Sequence, residues 1–175
     1  MRFIALFVSF VSFFSVYVSA AAVDARTIGD LGSIINSLGI GLVTKINTFI
    51  SLDSFTTNVV SANFDVKNPL PLELAIDRVV SKAGVNGTVY AQFDETFAKA
   101  VVVPLLGSVN SGTFGNVLLT KGIDASLDLV PLGWLDLIST DVYVRAGTIN
   151  GKLGIPITIT GLKQSKVTTT YKIDV

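Results

Sequence analysis

Asp94 and Glu95 are adjacent carboxylates, and a pair of acids flanking one bond is the machinery of glycoside hydrolysis. Neighbours on an extended strand point to opposite faces, so these two cannot close on a single bond, and a solvated turn before Phe97 is the expected setting. Gly147-Thr148-Ile149-Asn150-Gly151-Lys152 has the outline of a phosphate loop. That motif needs four residues between its glycines and a Ser or Thr after the lysine; here there are three, then Leu153. A hairpin turn in which Gly151 takes a positive φ fits better. The stretch Leu106 to Gly112 holds Ser108 and Ser111 without a G-x-S-x-G elbow, and a serine nucleophile would need Lys99 or Lys121 as its base. Asp124, Asp128, Asp136 and Asp141 are too widely spread for a calcium loop.

Composition narrows the chemistry further. The 175 residues include neither His nor Cys, which removes His-dependent triads, thiol nucleophiles, disulfides, zinc fingers and iron–sulfur ligation. Thirteen basic and thirteen acidic residues leave no net charge, so a nucleic-acid partner is not expected. No catalytic, cofactor-binding or metal-binding set emerges, and the chain is read as a non-enzyme. The one N-x-[ST] sequon without an intervening proline is Asn86-Gly87-Thr88, a glycosylation acceptor if it lies at the surface.

Export is expected from the first twenty residues. Arg2 precedes an apolar run from Phe3 to Val18 broken only by serines, and Ser19-Ala20 supplies a small-residue exit. This is the layout of a secretory signal peptide, 1–20, and a secreted, extracellular protein follows from it. An uncleaved segment would instead leave the protein membrane-associated.

Residues 21–54 read as a helical segment. From Ile28 to Ile50 the apolar positions recur with a helical period, placing Leu31, Ile35, Leu38, Leu42, Ile46 and Phe49 on one face. The opposite face carries Ser, Thr and Asn, with Lys45 its only basic residue. The apolar face would either cover the protein's own core or insert into loosely packed lipid.

Residues 55–175 change to a period of two. Ala62, Phe64 and Val66 alternate with polar neighbours, as do Leu72, Leu74 and Ile76, then Val89, Ala91 and Phe93. Asn68-Pro69-Leu70-Pro71, Ala83-Gly84 and Asn86-Gly87 mark corners. Further strands are expected at 98–106, 113–120, 123–130, 141–145, 155–160 and 167–175, with Trp134 closing one end of the core and Pro156 marking an edge strand. Seven or eight short strands without helices between them predict a mainly β fold, an antiparallel β-sandwich preceded by the amphipathic helix.

Phe64-Asp65-Val66-Lys67-Asn68-Pro69-Leu70-Pro71-Leu72, followed by Ala83-Gly84-Val85-Asn86-Gly87, resembles the late embryogenesis abundant group 2 proteins. Their domain is also called the water-stress and hypersensitive-response (WHy) domain, and the likeness is nearest to fungal secreted or vacuole-associated forms. Leu119-Thr120-Lys121-Gly122 and Gly161-Leu162-Lys163-Gln164 are similar to the same group. The resemblance implies a fibronectin-III-like sandwich and a non-enzymatic role in stress protection or lipid contact, with no catalytic residues to carry over. A cleavable signal is a departure from relatives that keep a membrane anchor. The function expected is a secreted module binding lipid, membrane or other hydrophobic partners. The alternative is a structural or interaction protein of the cell wall or vacuolar lumen.

Overall fold

Buried Val60, Ala62, Phe64 and Val66 alternate with more exposed neighbours along β2 (Val59–Lys67), so the two-residue period found in the sequence is realised as a strand. A computed structural model describes residues 41–174. The other strands are β1 (Val43–Ser51), β3 (Leu74–Val85), β4 (Thr88–Val103), β5 (Ser108–Asn110), β6 (Phe114–Leu119), β7 (Trp134–Ala146) and β8 (Ile155–Asp174). Between them lie short helices α1 (Ser54–Thr57) and α2 (Gly122–Leu127), and a 3-10 turn at Val130–Leu132.

The protein is mainly β, and its sheet closes on itself. Strands run in the order β1-β8-β7-β3-β4-β6-β2, and β1 pairs again with β2 to complete a ring of seven, with β5 added beside β2. A closed barrel therefore replaces the expected sandwich. The cause is the length of β8, which joins what would otherwise be two sheets. Its Ile155–Thr168 part pairs with β7, while Thr168–Asp174 runs parallel to Lys45–Ser51 of β1. Pro156 sits in the half that β1 does not reach, in keeping with an edge position.

Three further expectations are corrected. The helix read to Ile50 is a strand from Val43 onward, and its earlier part lies outside the described residues. Val43, Thr44, Ile46, Thr48 and Ile50 are β-branched and favour extended backbone, and a register shift between Val43 and Lys45 disturbs the period. The strand expected at 123–130 is α2 and the turn after it, because Gly122 (φ 79°) turns the chain out of extended backbone after β6 and Asn58 Oδ1 accepts the Ile123 N–H at 2.8 Å. Trp134 does not close the core: Leu135 takes the inward position, and Lys166 Nζ lies 5.6 Å from the indole centroid on the outside.

The core is aliphatic side chains around an aromatic cluster. Phe114 lies 4.9 Å from Phe93 and 6.0 Å from both Phe64 and Phe97, between centroids. Phe64 and Phe93 thus occupy the inward positions read from the sequence. Tyr171 packs against the same core, with its hydroxyl buried and unpartnered among the described residues. Burial pushes its pKa from 10.0 up to about 12, because the phenolate is the form that desolvation penalises. The folded chain holds this proton more tightly than the unfolded one, so the contribution is intact below pH 10.0 and is lost as pH rises through about 12. Tyr171→Phe is expected to remove that alkaline loss. By deleting an unsatisfied buried hydroxyl, it should also raise stability at neutral pH by about 1 kcal/mol, as read by urea denaturation at several pH values.

Candidate functional site: an apolar tip

Three loops meet at one end of the barrel because the strands that carry them are in register there. Leu74 at the start of β3 pairs with Val103 at the end of β4 and with Ala146 at the end of β7, and Ala146 pairs with Ile155 of β8. The 68–73, 104–107 and 147–154 loops are therefore neighbours.

Asn68 ties the first loop to the second. It is 1% exposed, and its Nδ2 donates to the carbonyls of Leu72 (2.7 Å), Pro104 (3.1 Å) and Val103 (3.4 Å). Its Oδ1 accepts the Leu70 N–H at 2.9 Å, an Asx turn that Pro69 suits by fixing φ, and its own N–H donates to Gly107 O. The Leu106 N–H completes the join on Leu70 O.

Two charged residues fix the third loop. Glu73 Oε1 accepts the Thr148 hydroxyl at 2.7 Å and the Gly151 N–H at 2.9 Å. The bond from Gly151, then the one from Thr148, holds its carboxyl below the usual range. The turn that resembled a phosphate loop thus binds an anion, and the anion is the protein's own Glu73. It is a tight hairpin, with Ile149 and Lys152 exchanging backbone bonds across Asn150 (φ 52°) and Gly151 (φ 72°). Arg145 holds Asp77 through two bonds of 2.8 Å and uses Nη1 on the carbonyls of Gly151 and Leu153, both at 3.0 Å.

What these loops display is aliphatic. Leu105 is 58% exposed, Leu106 54%, Ile149 69%, Leu153 79% and Ile155 68%. Leu106 and Leu153 also hold left-handed backbone, at φ 50° and 60°. Four of the seven non-glycine residues with positive φ are Asn, the side chain most at ease there; a leucine in that region costs about 1–2 kcal/mol. Solubility and local backbone preference both oppose an exposed leucine at these positions, and neither Leu106 nor Leu153 gains core burial in return. The combination makes this tip the candidate contact surface among the described residues. Lys67 and Lys152 are exposed at the same end and make no ion pair among the described residues, whereas Glu73 and Asp77 are already engaged.

The residues singled out in the sequence fall elsewhere. Leu31, Ile35 and Leu38 lie outside the described residues. Leu42 extends the β1–β2 ladder by accepting the Lys67 N–H, Ile46 packs against the core, and Phe49 lies on the outer face with Lys172 Nζ 5.5 Å from its ring centroid. The three do not form a helical face. Asn86 is exposed in the two-residue β3–β4 turn, where a glycan could be attached. Asp94 and Glu95 lie within β4 and not in a turn; Asp94 grips Arg78, which also lies over the Tyr143 ring. Ser111 is structural, accepting the Phe64 N–H and donating to Gly112 O. Asp136 accepts the Asn86 and Lys166 N–H groups and Asp141 the Gly161 N–H, so these acids serve separate turns. A shallow groove lined by Lys82, Thr88, Val89, Gln92, Thr120 and Lys121 has no buried side chain in its lining. Sequence reading passed over the tip, although aliphatic residues beside Pro104, Asn150 and Gly154, in turns where polar residues are usual, were a visible sign.

No family model matches this chain, and no curated protein matches it. Among solved structures, the crystal structure of a protein from Archaeoglobus fulgidus is similar over 63% of this chain and 84% of its own, at 13% identity and a TM-score of 0.26. The solution structure of a protein described as late embryogenesis abundant (LEA) is similar over 86% of this chain and 94% of its own, at 17% identity and a TM-score of 0.21. At these scores neither likeness carries an argument about this chain.

Proposed function

We propose that this chain is an exported, non-enzymatic binding module that attaches to lipid or another hydrophobic partner through the tip formed by Leu105, Leu106, Ile149, Leu153 and Ile155. The observation that carries the reading is the pair of exposed leucines, Leu106 and Leu153, kept in backbone conformations that disfavour them. Fully burying a leucine or isoleucine side chain releases roughly 1.5–3 kcal/mol, so a few such residues entering an apolar phase give a useful affinity. The resemblance of Phe64–Leu72 to the group 2 late embryogenesis abundant (WHy) proteins of fungal secreted or vacuolar type supports a protective, lipid-contacting role. Asn68, central to that motif, is also the side chain that ties two of the tip loops.

The test compares the native protein with the Leu106→Asp/Leu153→Asp double variant, both purified from the expressing cells and extracted for lipid mass spectrometry. Asp tolerates left-handed backbone, so the variant is expected to melt as the native chain does. Lipid should accompany the native protein and fall at least about tenfold in the variant, since each lost apolar contact of about 1.4 kcal/mol is a factor of ten. If wall polymer or a single protein is retained equally by both, with no lipid, the tip is not the binding site and the module has a structural role in the wall or vacuolar lumen.

A further inference from the structure

Resting on that reading, we infer that the partner is a lipid bilayer, entered tip first, with the Asn86-Gly87 turn held at the far end away from it. Three features select a bilayer. The aliphatic residues come from two separate loops and the start of β8, and they stand at 54–79% exposure. Fluid acyl chains accept such projections anywhere, whereas a folded partner needs a fitted hollow for each. The charges complement a membrane surface: besides Arg145, which Asp77 pairs, Lys67 and Lys152 at this end make no ion pair among the described residues and can meet lipid phosphates. The carboxylates of Glu73 and Asp77 nearby are engaged within the protein, Glu73 with Thr148 and Gly151, and Asp77 with Arg145.

The register then fixes the orientation. Leu74 lies at the tip, and β3 runs from it without interruption to Val85, which pairs with Thr88 across the Asn86-Gly87 turn. At about 3.3 Å per residue this places the turn roughly 35 Å away along the strand. The Asn86-Gly87 turn itself is polar, with Asn86, Thr88, Lys82 and Lys121 exposed, although Leu52, Phe55, Leu132 and Ile173 are exposed elsewhere at that end; a glycan on Asn86 would point away from the lipid.

The absence of cysteine in the chain makes the test direct, since each introduced thiol is the sole labelling site. Leu105→Cys, Ile149→Cys and Asn86→Cys are each coupled to an environment-sensitive fluorophore and mixed with phosphatidylcholine vesicles, with or without phosphatidylserine. The Leu105 and Ile149 labels should shift to the blue, brighten several-fold and be quenched by lipid-borne quenchers, while the Asn86 label stays unchanged and open to aqueous quencher. Salt should weaken binding only slightly, because two cations contribute little beside the apolar term. If lipid copurifies yet no label responds to vesicles, the tip carries single lipid molecules; the bilayer inference is then overturned and the tip reading stands. If Asn86 responds in place of the tip, both are overturned.

Discussion

Replacing Asn68 by Leu is expected to lower stability by about 3–5 kcal/mol, because an unsatisfied buried polar group costs about 1–3 kcal/mol and this change leaves several. Leucine has nearly the shape of asparagine and no polar atoms, so it fits the volume and breaks every side-chain bond. The carbonyls of Leu72, Val103 and Pro104 lose their donor, and the Leu70 N–H loses its acceptor, at a site 1% exposed. Asn68→Asp separates the two halves of this role. It keeps the acceptor for Leu70 but sets a carboxylate against three carbonyl oxygens. Burial and those oxygens favour the protonated acid, which can donate one bond, so the variant's folded pKa lies above its unfolded value. Its stability is therefore retained at low pH and lost as pH rises through the raised pKa. Urea denaturation of both variants at acid and neutral pH checks the pair: the Leu variant should show little change with pH, and the Asp variant should lose stability toward neutrality.

Gly84→Ala should cost a comparable amount, about 3–5 kcal/mol, by overpacking against backbone that cannot retreat. A Cβ on Gly84 would stand 1.8 Å from the Thr88 carbonyl oxygen, 2.9 Å from its carbon and 3.1 Å from the Tyr90 nitrogen. All three are main-chain atoms of the paired strand, at the point where the β3–β4 register shifts between Ala83 and Gly84. Relief requires the hairpin to open. Gly87→Ala, three residues on, is the control: a Cβ there meets nothing within 4 Å, and only its φ of 80° opposes the change. That costs about 1 kcal/mol, so thermal melts should separate the two alanines widely although both sit near the same turn.

These two sites were legible to different degrees. Asn68-Pro69 and Asn86-Gly87 announce corners through local chemistry, and the alternation of Ala62, Phe64 and Val66 shows which face of β2 is buried. The close approach at Gly84 has no local signature, since it depends on where Thr88 lies across the turn. β1 misled because Phe49 faces outward beneath Lys172 while Ile50 is buried, so both faces of the strand carry large apolar residues and the spacing imitates a helix. Closure of the barrel was hidden for a related reason. It depends on Lys45–Ser51 meeting Thr168–Asp174, and pairing across more than a hundred residues leaves no mark on either segment. At the tip, the residue types could be read directly; the left-handed backbone under Leu106 and Leu153 could not.

The parallel union of β1 with β8 also sets the order in which the molecule can be made. During synthesis β1 emerges first among these strands and finds β2, but its other edge waits for residues 168–174, more than a hundred positions further along the chain. Until then β1 lacks its outer neighbour, and contacts so distant along the chain form slowly. A nascent chain therefore carries the raw edge of β1, joined later by that of β7, until β8 is made, the condition under which strands pair with the wrong molecule. Chaperone demand should track the time spent before β8 appears, and slowing elongation just upstream of residue 155 should lengthen that hazard.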